Sequence, residues 1–401
     1  MRYRFLLSSV LLGTELLLHQ KALAHSATVP DTGTQASAAL STTWRNDGVV
    51  LTNGRWQIPG LLMGGEAYPV EQAVTLDEAR FNISHRNESG AFGLLQIASH
   101  DNNVDAELHH ALLGYEFSDL PFDLSLEAGR MAAQFTPANA SHAADRLFSE
   151  SDLALDAFFG RQWNDAGLRM MATQWQLTLG LETWRGAAFP ATRGDNNSAY
   201  DLFLHHRARF ESFDWYSGLW FLSADATKRE DQRYSVSAHN HGTSQAIVAP
   251  SFWFSGQTQA EGAFVNLNWA LTKAQLLHLG AEWMRVEPEG VLADATRNSA
   301  MSSRYDSARL QLSLESGRHE VGLRWEQLTL DNTLAGPAAE TLSALAGLNN
   351  DGFEPTRSTF IYRWQIDQTL ALRTEWSLDK VNSKEQRLAL GAIWKVPTWS
   401  R

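Results

Sequence analysis

The side chains with most chemical reach in this chain are its imidazoles and its charged groups. His109-His110, His205-His206 and His239-Asn240-His241, together with His278, invite a metal reading, because imidazole is a common metal ligand. On a strand, adjacent residues point to opposite faces, so only one of each adjacent pair, His110 and His205, would face a common interior. The loop pair His239 and His241 is the more adaptable candidate. Spacing alone composes no converging set of His and carboxylate, so metal binding is a secondary reading and no cofactor is expected. Cysteine is absent, which removes disulfides, thiolate metal sites and Cys nucleophiles. Ser and His occur without a Gly-x-Ser-x-Gly nucleophile motif, so an enzyme is not expected.

The charged groups are patterned. Arg169, Arg207, Arg209, Arg309, Arg324, Arg363 and Arg373, with Glu282 and Glu326, fall on one parity of segments whose other parity is apolar. That apolar parity reads Leu177, Leu179, Leu181; Leu310, Leu312, Leu314; Phe360, Tyr362, Trp364; and Leu388, Leu390, Ala392, Trp394. Period two marks strands, not helices. One apolar face and one charged face per strand is what a closed barrel with a wet lumen in lipid requires. The chain is therefore read as an all-β protein, a transmembrane antiparallel β-barrel, and its charged interior implies water and a channel.

The elements that must position these side chains follow. Arg2 and Arg4 precede an apolar stretch from Phe5 to Leu18 and small residues at Ala22 and Ala24, the pattern of a secretory signal over residues 1–24. Residues 25–54 read as a polar periplasmic lead, and the barrel is expected over 55–401. Alternation predicts strands at 55–64, 77–85, 91–99, 107–117, 122–133, 164–173, 175–185 and 200–210. The second half adds 214–224, 261–271, 275–286, 304–315, 318–329, 357–366, 369–378 and 386–396, about sixteen in all. The first is the weakest, since Pro59 cannot donate to a ladder. Short connections such as Ser316-Gly317 alternate with long ones at 134–163, 225–260, 287–303 and 330–356. Short periplasmic turns and long external loops put both termini in the periplasm.

Residues 134–163 form the loop expected to carry function. It bears Asp145, Glu150, Asp152 and Asp156 against only Arg146 and Arg161. An acidic loop folded against an Arg-bearing wall would set a transverse field that favours small polar or zwitterionic solutes, or would pin the loop by ion pairs. Around it, Gly129, Phe135-Thr136-Pro137, Arg146, Phe148-Ser149-Glu150, Phe158-Phe159 before Gly160-Arg161, and Gly167 resemble the phosphate-selective porin O/P family. The resemblance implies a sixteen-stranded, trimeric porin whose third loop narrows the lumen. Phosphate-selective members draw anions with a Lys cluster and an Arg ladder. An acidic loop and few Lys point away from a dedicated phosphate path.

The expected function is passive diffusion of small hydrophilic solutes or ions across the outer membrane of a Gram-negative cell. Outer-membrane lipid and lipopolysaccharide would be its surroundings, and a net charge of −12 argues against a nucleic-acid partner. Two other readings stand beside it: uptake of a metal ion or chelate through a His-bearing barrel, and a non-transport adhesin or structural barrel presenting 225–260 and 330–356 to a partner. A soluble β-sandwich would not need such regular alternation of turns and loops. A TonB-dependent receptor would need a plug domain far longer than residues 25–54. A fatty-acid channel would show an apolar lumen.

Overall fold

Alternating apolar and polar residues leave a strand two unlike faces, and closing the sheet on itself removes the unpaired edges that such strands would otherwise expose. In the computed structural model, sixteen long strands do this. They are β1 (Gly33–Arg45), β2 (Val74–Arg86), β3 (Ala91–Ser99), β4 (Glu107–Phe117), β5 (Asp123–Ala132), β6 (Asn164–Gln174), β7 (Leu177–Trp184) and β8 (Ala199–Arg209). The ring continues with β9 (Phe213–Arg229), β10 (Trp253–Thr272), β11 (Gln275–Ala293), β12 (Asn298–Ser316), β13 (His319–Ala335), β14 (Thr356–Gln365), β15 (Leu370–Lys380) and β16 (Glu385–Lys395). Each pairs antiparallel with its sequence neighbour. The barrel closes where β1 meets β16, Ala39 opposite Lys395 and Arg45 opposite Ala389. A two-residue strand, β17 (Trp399–Ser400), adds to β1 at Gln35 and Ala36. The structure describes residues 29–49, 56–100, 106–117, 119–192, 198–231, 233, 252–381 and 385–401. The expected signal segment 1–24 and the histidines His239 and His241 lie outside them.

One strand is not where the alternation predicts it. The polar lead contains β1, whose Ser, Thr and Ala residues give a faint face: Leu40 and Trp44 point outward, while Ser41, Thr43 and Arg45 are buried inside. Residues 55–64 are not a strand in their described part. Trp56, Ile58, Leu61 and Met63 are apolar because they pack inside the barrel, not because they face outward. Three expected long loops are also shorter, since β9 to β13 extend well past their expected ends, and β11 and β12 are joined by a tight turn at Asp294–Arg297.

The outward face is apolar along the strands, with Leu179, Leu279, Leu310, Leu312, Phe360, Trp376 and Leu390 exposed. The inside is divided in two. Strands β3 to β11 present Phe92, Leu112, Trp184, Phe203, Trp220 and Phe264 to a buried apolar cluster. Strands β13 to β16, with β1 and β2, present most of the buried Arg and carboxylate, among them Arg324, Arg357, Arg373, Arg387, Arg45 and Asp77, while Arg169, Glu182, Asp201 and Glu282 add buried charge among the apolar strands.

Candidate functional site

The segment 134–163 lies inside the barrel between these two halves, and its sequence matches each. Phe135, Phe158, Phe159 and Trp163 join the aromatic half, with Phe135 and Trp220 rings 4.6 Å apart. A short helix, α1 (Leu153–Phe159), is buried at every residue and ends at Gly160 in the left-handed conformation (φ 59°). Any Cβ at Gly160 would stand 2.6 Å from the Gly64 carbonyl oxygen, so this turn sits directly against the segment between β1 and β2. There Glu66 N–H donates to the Gly160 carbonyl at 2.9 Å.

The polar middle of the segment meets the charged half. Glu150 accepts from Arg357 at 2.8 Å and from Arg387 at 3.3 Å. Asp152 bridges Arg309 at 2.7 Å and Arg324 at 2.8 Å. Asp145 binds Arg80 and Lys395, each at 2.8 Å. Backbone donors are tied as well: Leu153 N–H to Glu326 at 2.6 Å, Ser149 N–H to Glu375 at 2.8 Å and Ala144 N–H to Glu78 at 2.8 Å, while Thr136 Oγ1 donates to Glu282. Burial alone would raise the Glu150 carboxyl, but Arg387 and Arg357 overturn that and hold it far below the usual carboxylate range. Asp156, whose cationic neighbours are more distant (Arg161 Nε at 3.7 Å), is pushed by burial up to about 7.

The wall residues singled out from parity sort into three places. Arg309, Arg324, Glu282 and Glu326 contact the loop directly. Arg373 reaches Asp77 at 2.9 Å and lies beside Glu375, while Arg169 pairs with Glu182 and Glu127 on the wall. Arg207, Arg209 and Arg363 sit toward the short-turn end, away from the loop: Arg207 stacks over Tyr216, Arg209 is exposed beside Asp214, and Arg363 pairs with Glu320. Within the loop, Arg146 donates to the Ser141 carbonyl at 2.7 Å. The acidic loop lies against the Arg-bearing wall, and its carboxylates meet the wall arginines in direct ion pairs. Arg357, Arg387, Arg45 and Asp77 were not among the expected site residues, because they occupy strand ends or the misread lead. Charge at the ends of alternating segments was the available signal.

The histidines separate too. His205 is buried and satisfied, its Nε2–H donating to the Phe135 carbonyl at 3.2 Å and its Nδ1 accepting from the Tyr216 hydroxyl at 3.0 Å. His278 meets Asn268 at 2.7 Å and lies 3.9 Å from Glu315. His110 is buried beside its neighbour His109, both turned inward. The parity expectation for that pair fails because of a β-bulge. Gln96 pairs with His110 and Ile97 with Leu108, leaving His109 as the extra residue, so both imidazoles enter the lumen.

Two further features shape the interior. Residues 56–67 enter from the long-loop end and are pinned there: Gly60 N–H donates to the Gly347 carbonyl at 2.9 Å, and Asn332 Nδ2 donates to the Gly60 carbonyl at 2.8 Å. A second helix, α2 (Ala339–Leu345), closes over them with Leu342 packed on Leu62, Phe254 and Leu292. From the short-turn end a cavity of about 640 Å³ runs up to Gln134, Arg169 and His110.

No protein-family model and no curated protein matches this sequence. Its fold is that of outer-membrane porins. The chain superposes on the outer membrane channel DcaP of Acinetobacter baumannii with a TM-score of 0.54 at 10% identity, covering 93% of this chain and 100% of that one. Against a loop-deletion mutant of OmpT, an outer membrane protein of Vibrio cholerae, the TM-score is 0.53 at 10% identity, over 90% and 98% of the two chains. OprB of Pseudomonas putida gives 0.51 at 12% identity, over 92% and 94%. A closed sixteen-strand antiparallel barrel of porin type is what these likenesses establish.

Proposed function

We propose that this protein is a porin-type channel of a Gram-negative outer membrane, passing small hydrophilic solutes or ions passively through a narrow lumen. The observation that carries the reading is the inward loop 134–163, tied by Glu150, Asp152 and Asp145 to arginines and a lysine around the charged half of the wall. On this reading the short turns face the periplasm and the long loops face outward. The outward Leu, Phe and Trp belt takes lipid, with lipopolysaccharide around the external ends. A homotrimer accords with the local likeness of residues 129–167 to the phosphate-selective porins.

Phosphate is not the favoured solute. Arginines at the loop are already neutralised by carboxylates, leaving little unpaired positive charge there to strip and hold an anion. Segment 56–67 and α2 further restrict the external end, so the channel is small. Liposome swelling with sugars of increasing size tests this: entry limited to the smallest solutes supports a narrow pore, and no swelling with any solute, in vesicles proven to hold folded barrel, would refute transport. The adhesin reading has no specific contact in its favour among the described residues.

A further inference from the structure

The bulge in β4 and the loop residue His142 create a histidine cluster that the diffusion reading leaves unused. His109, His110 and His142 are all buried, and one ring nitrogen from each lies within 4.8 Å of the other two. Ring centroids are 5.5 Å apart for His109 and His142 and 6.0 Å for His110 and His142. Nδ1 of His109, both nitrogens of His110 and Nε2 of His142 have no protein hydrogen-bond partner among the described residues. Leaving several buried polar nitrogens unmatched is costly, so the cluster has room for a ligand that would satisfy them.

His142 is backed by a carboxylate. His142 Nδ1 lies 3.0 Å from Glu78, itself wholly buried and fixed by the Ala144 N–H, so Nε2 of His142 is turned away from Glu78. A carboxylate gripping the far nitrogen of an imidazole is the usual support of a histidine metal ligand. His100 Nε2 stands 2.9 Å from His109 Nε2, and exposed Glu66 and Glu107 form a second ligand-spaced group with His109. The cavity from the short-turn end reaches His110, so an ion has a way in.

We infer that His109, His110 and His142 form a binding site for a divalent transition-metal ion of the Zn²⁺ class, which ties loop 134–163 to β4. Imidazole-only donors suit Zn²⁺ over Mg²⁺ or Ca²⁺, and three histidines leave one tetrahedral position for water, His100 or a carboxylate. Ligand atoms in such a site stand about 3.4 Å apart on bonds of about 2.1 Å, so modest ring rotations complete the set. Two ligands come from the wall and one from the loop, so the ion acts as a clamp. Burial sets it apart from passing cargo.

Calorimetric titration of the tag-free, EDTA-stripped, refolded barrel with ZnCl₂ tests the site, whether or not the barrel conducts. Saturable binding of one ion per chain is expected, with Zn²⁺ raising the melting temperature. His110→Ala and His142→Ala should each weaken binding at least about 100-fold, and Glu78→Gln about 10-fold. His205→Ala and the pair His239→Ala and His241→Ala should leave it unchanged. Heat-modifiable gel mobility checks that each variant is folded. X-ray absorption on the unsubstituted Zn²⁺ complex needs no variant: imidazole scattering from about three histidines is the expected spectrum. No saturable binding, binding that survives the triple His109, His110 and His142 to Ala replacement, or a metal shell without imidazole would overturn the site.

Discussion

Arg357 of β14 and Glu150 of the third loop meet 2.8 Å apart inside the barrel, both side chains buried, with Arg387 of β16 closing on the same carboxylate. Two arginines on one carboxylate, in a place screened from bulk water, make the loop's position a matter of charge balance. Breaking such a pair from one side strands the other charge, which costs far more than the intact pair contributes.

Replacing Glu150 by Gln removes the carboxylate that Arg357 and Arg387 share, while Arg357 keeps Glu326 and Arg387 keeps Asp379 and Glu385. A loss of about 1.5–3 kcal/mol is expected, read as a lower temperature of barrel melting on heat-modifiable gels. The pH dependence has a definite sign. The folded Glu150 carboxyl lies far below its ordinary 4.5, so its contribution is present above about 4.5 and fades as pH falls below that. Wild type and Glu150→Gln should thus converge in stability in strong acid and differ most near neutrality.

Asp156 gives the opposite sign. Its folded carboxyl titrates at about 7 against an ordinary 3.8, so the folded state holds an extra proton between those values and loses stability as pH rises through that window. Asp156→Asn removes the penalty. The variant should melt higher than wild type at pH 8 and alike at pH 4; equal melting at pH 8 would show that Asp156 is not strained by burial.

The turn at Gly160 is the contact between the two inward segments. Gly160→Ala forces a Cβ against the Gly64 carbonyl at a residue whose φ of 59° already disfavours a side chain. Residues 56–67 must shift, and a destabilisation of about 1–2 kcal/mol is expected, with faster proteolysis of that segment from the long-loop end.

Neighbours on β12 test the sorting of faces. Leu312 points outward and Arg309 inward to Asp152 and Glu282. Leu312→Arg in a refolding titration into lipid should cost about 2–4 kcal/mol if that face meets the bilayer core. A near-zero cost would place it in water.

Much of this fold was legible because a closed barrel allows so few solutions. Period-two segments located fifteen of the sixteen long strands, though β9 to β13 run well past the expected ends on the long-loop side, and on β12, β13 and β15 the polar parity carries Arg309, Arg324 and Arg373, which lie inside. What escaped has physical causes. β1 is written in Ser, Thr and Ala, small residues that satisfy a strand without marking a face. Trp56 to Met63 looked like a strand because an apolar residue reads the same whether it meets lipid or a packed lumen. His109 defied parity because one inserted residue in β4 turns two neighbours to one side. The pairing of Glu150 with Arg357 joins positions far apart in the chain, and no local pattern encodes it.

The most direct test of the whole account is single-channel current in a planar bilayer, comparing the wild type with a variant lacking residues 56–67. A porin narrowed by its inward segments should show discrete steps in the wild type and steps several-fold larger in the deletion variant, with both proteins folded by gel mobility. Folded barrels of both kinds that pass no step-like current would contradict the account.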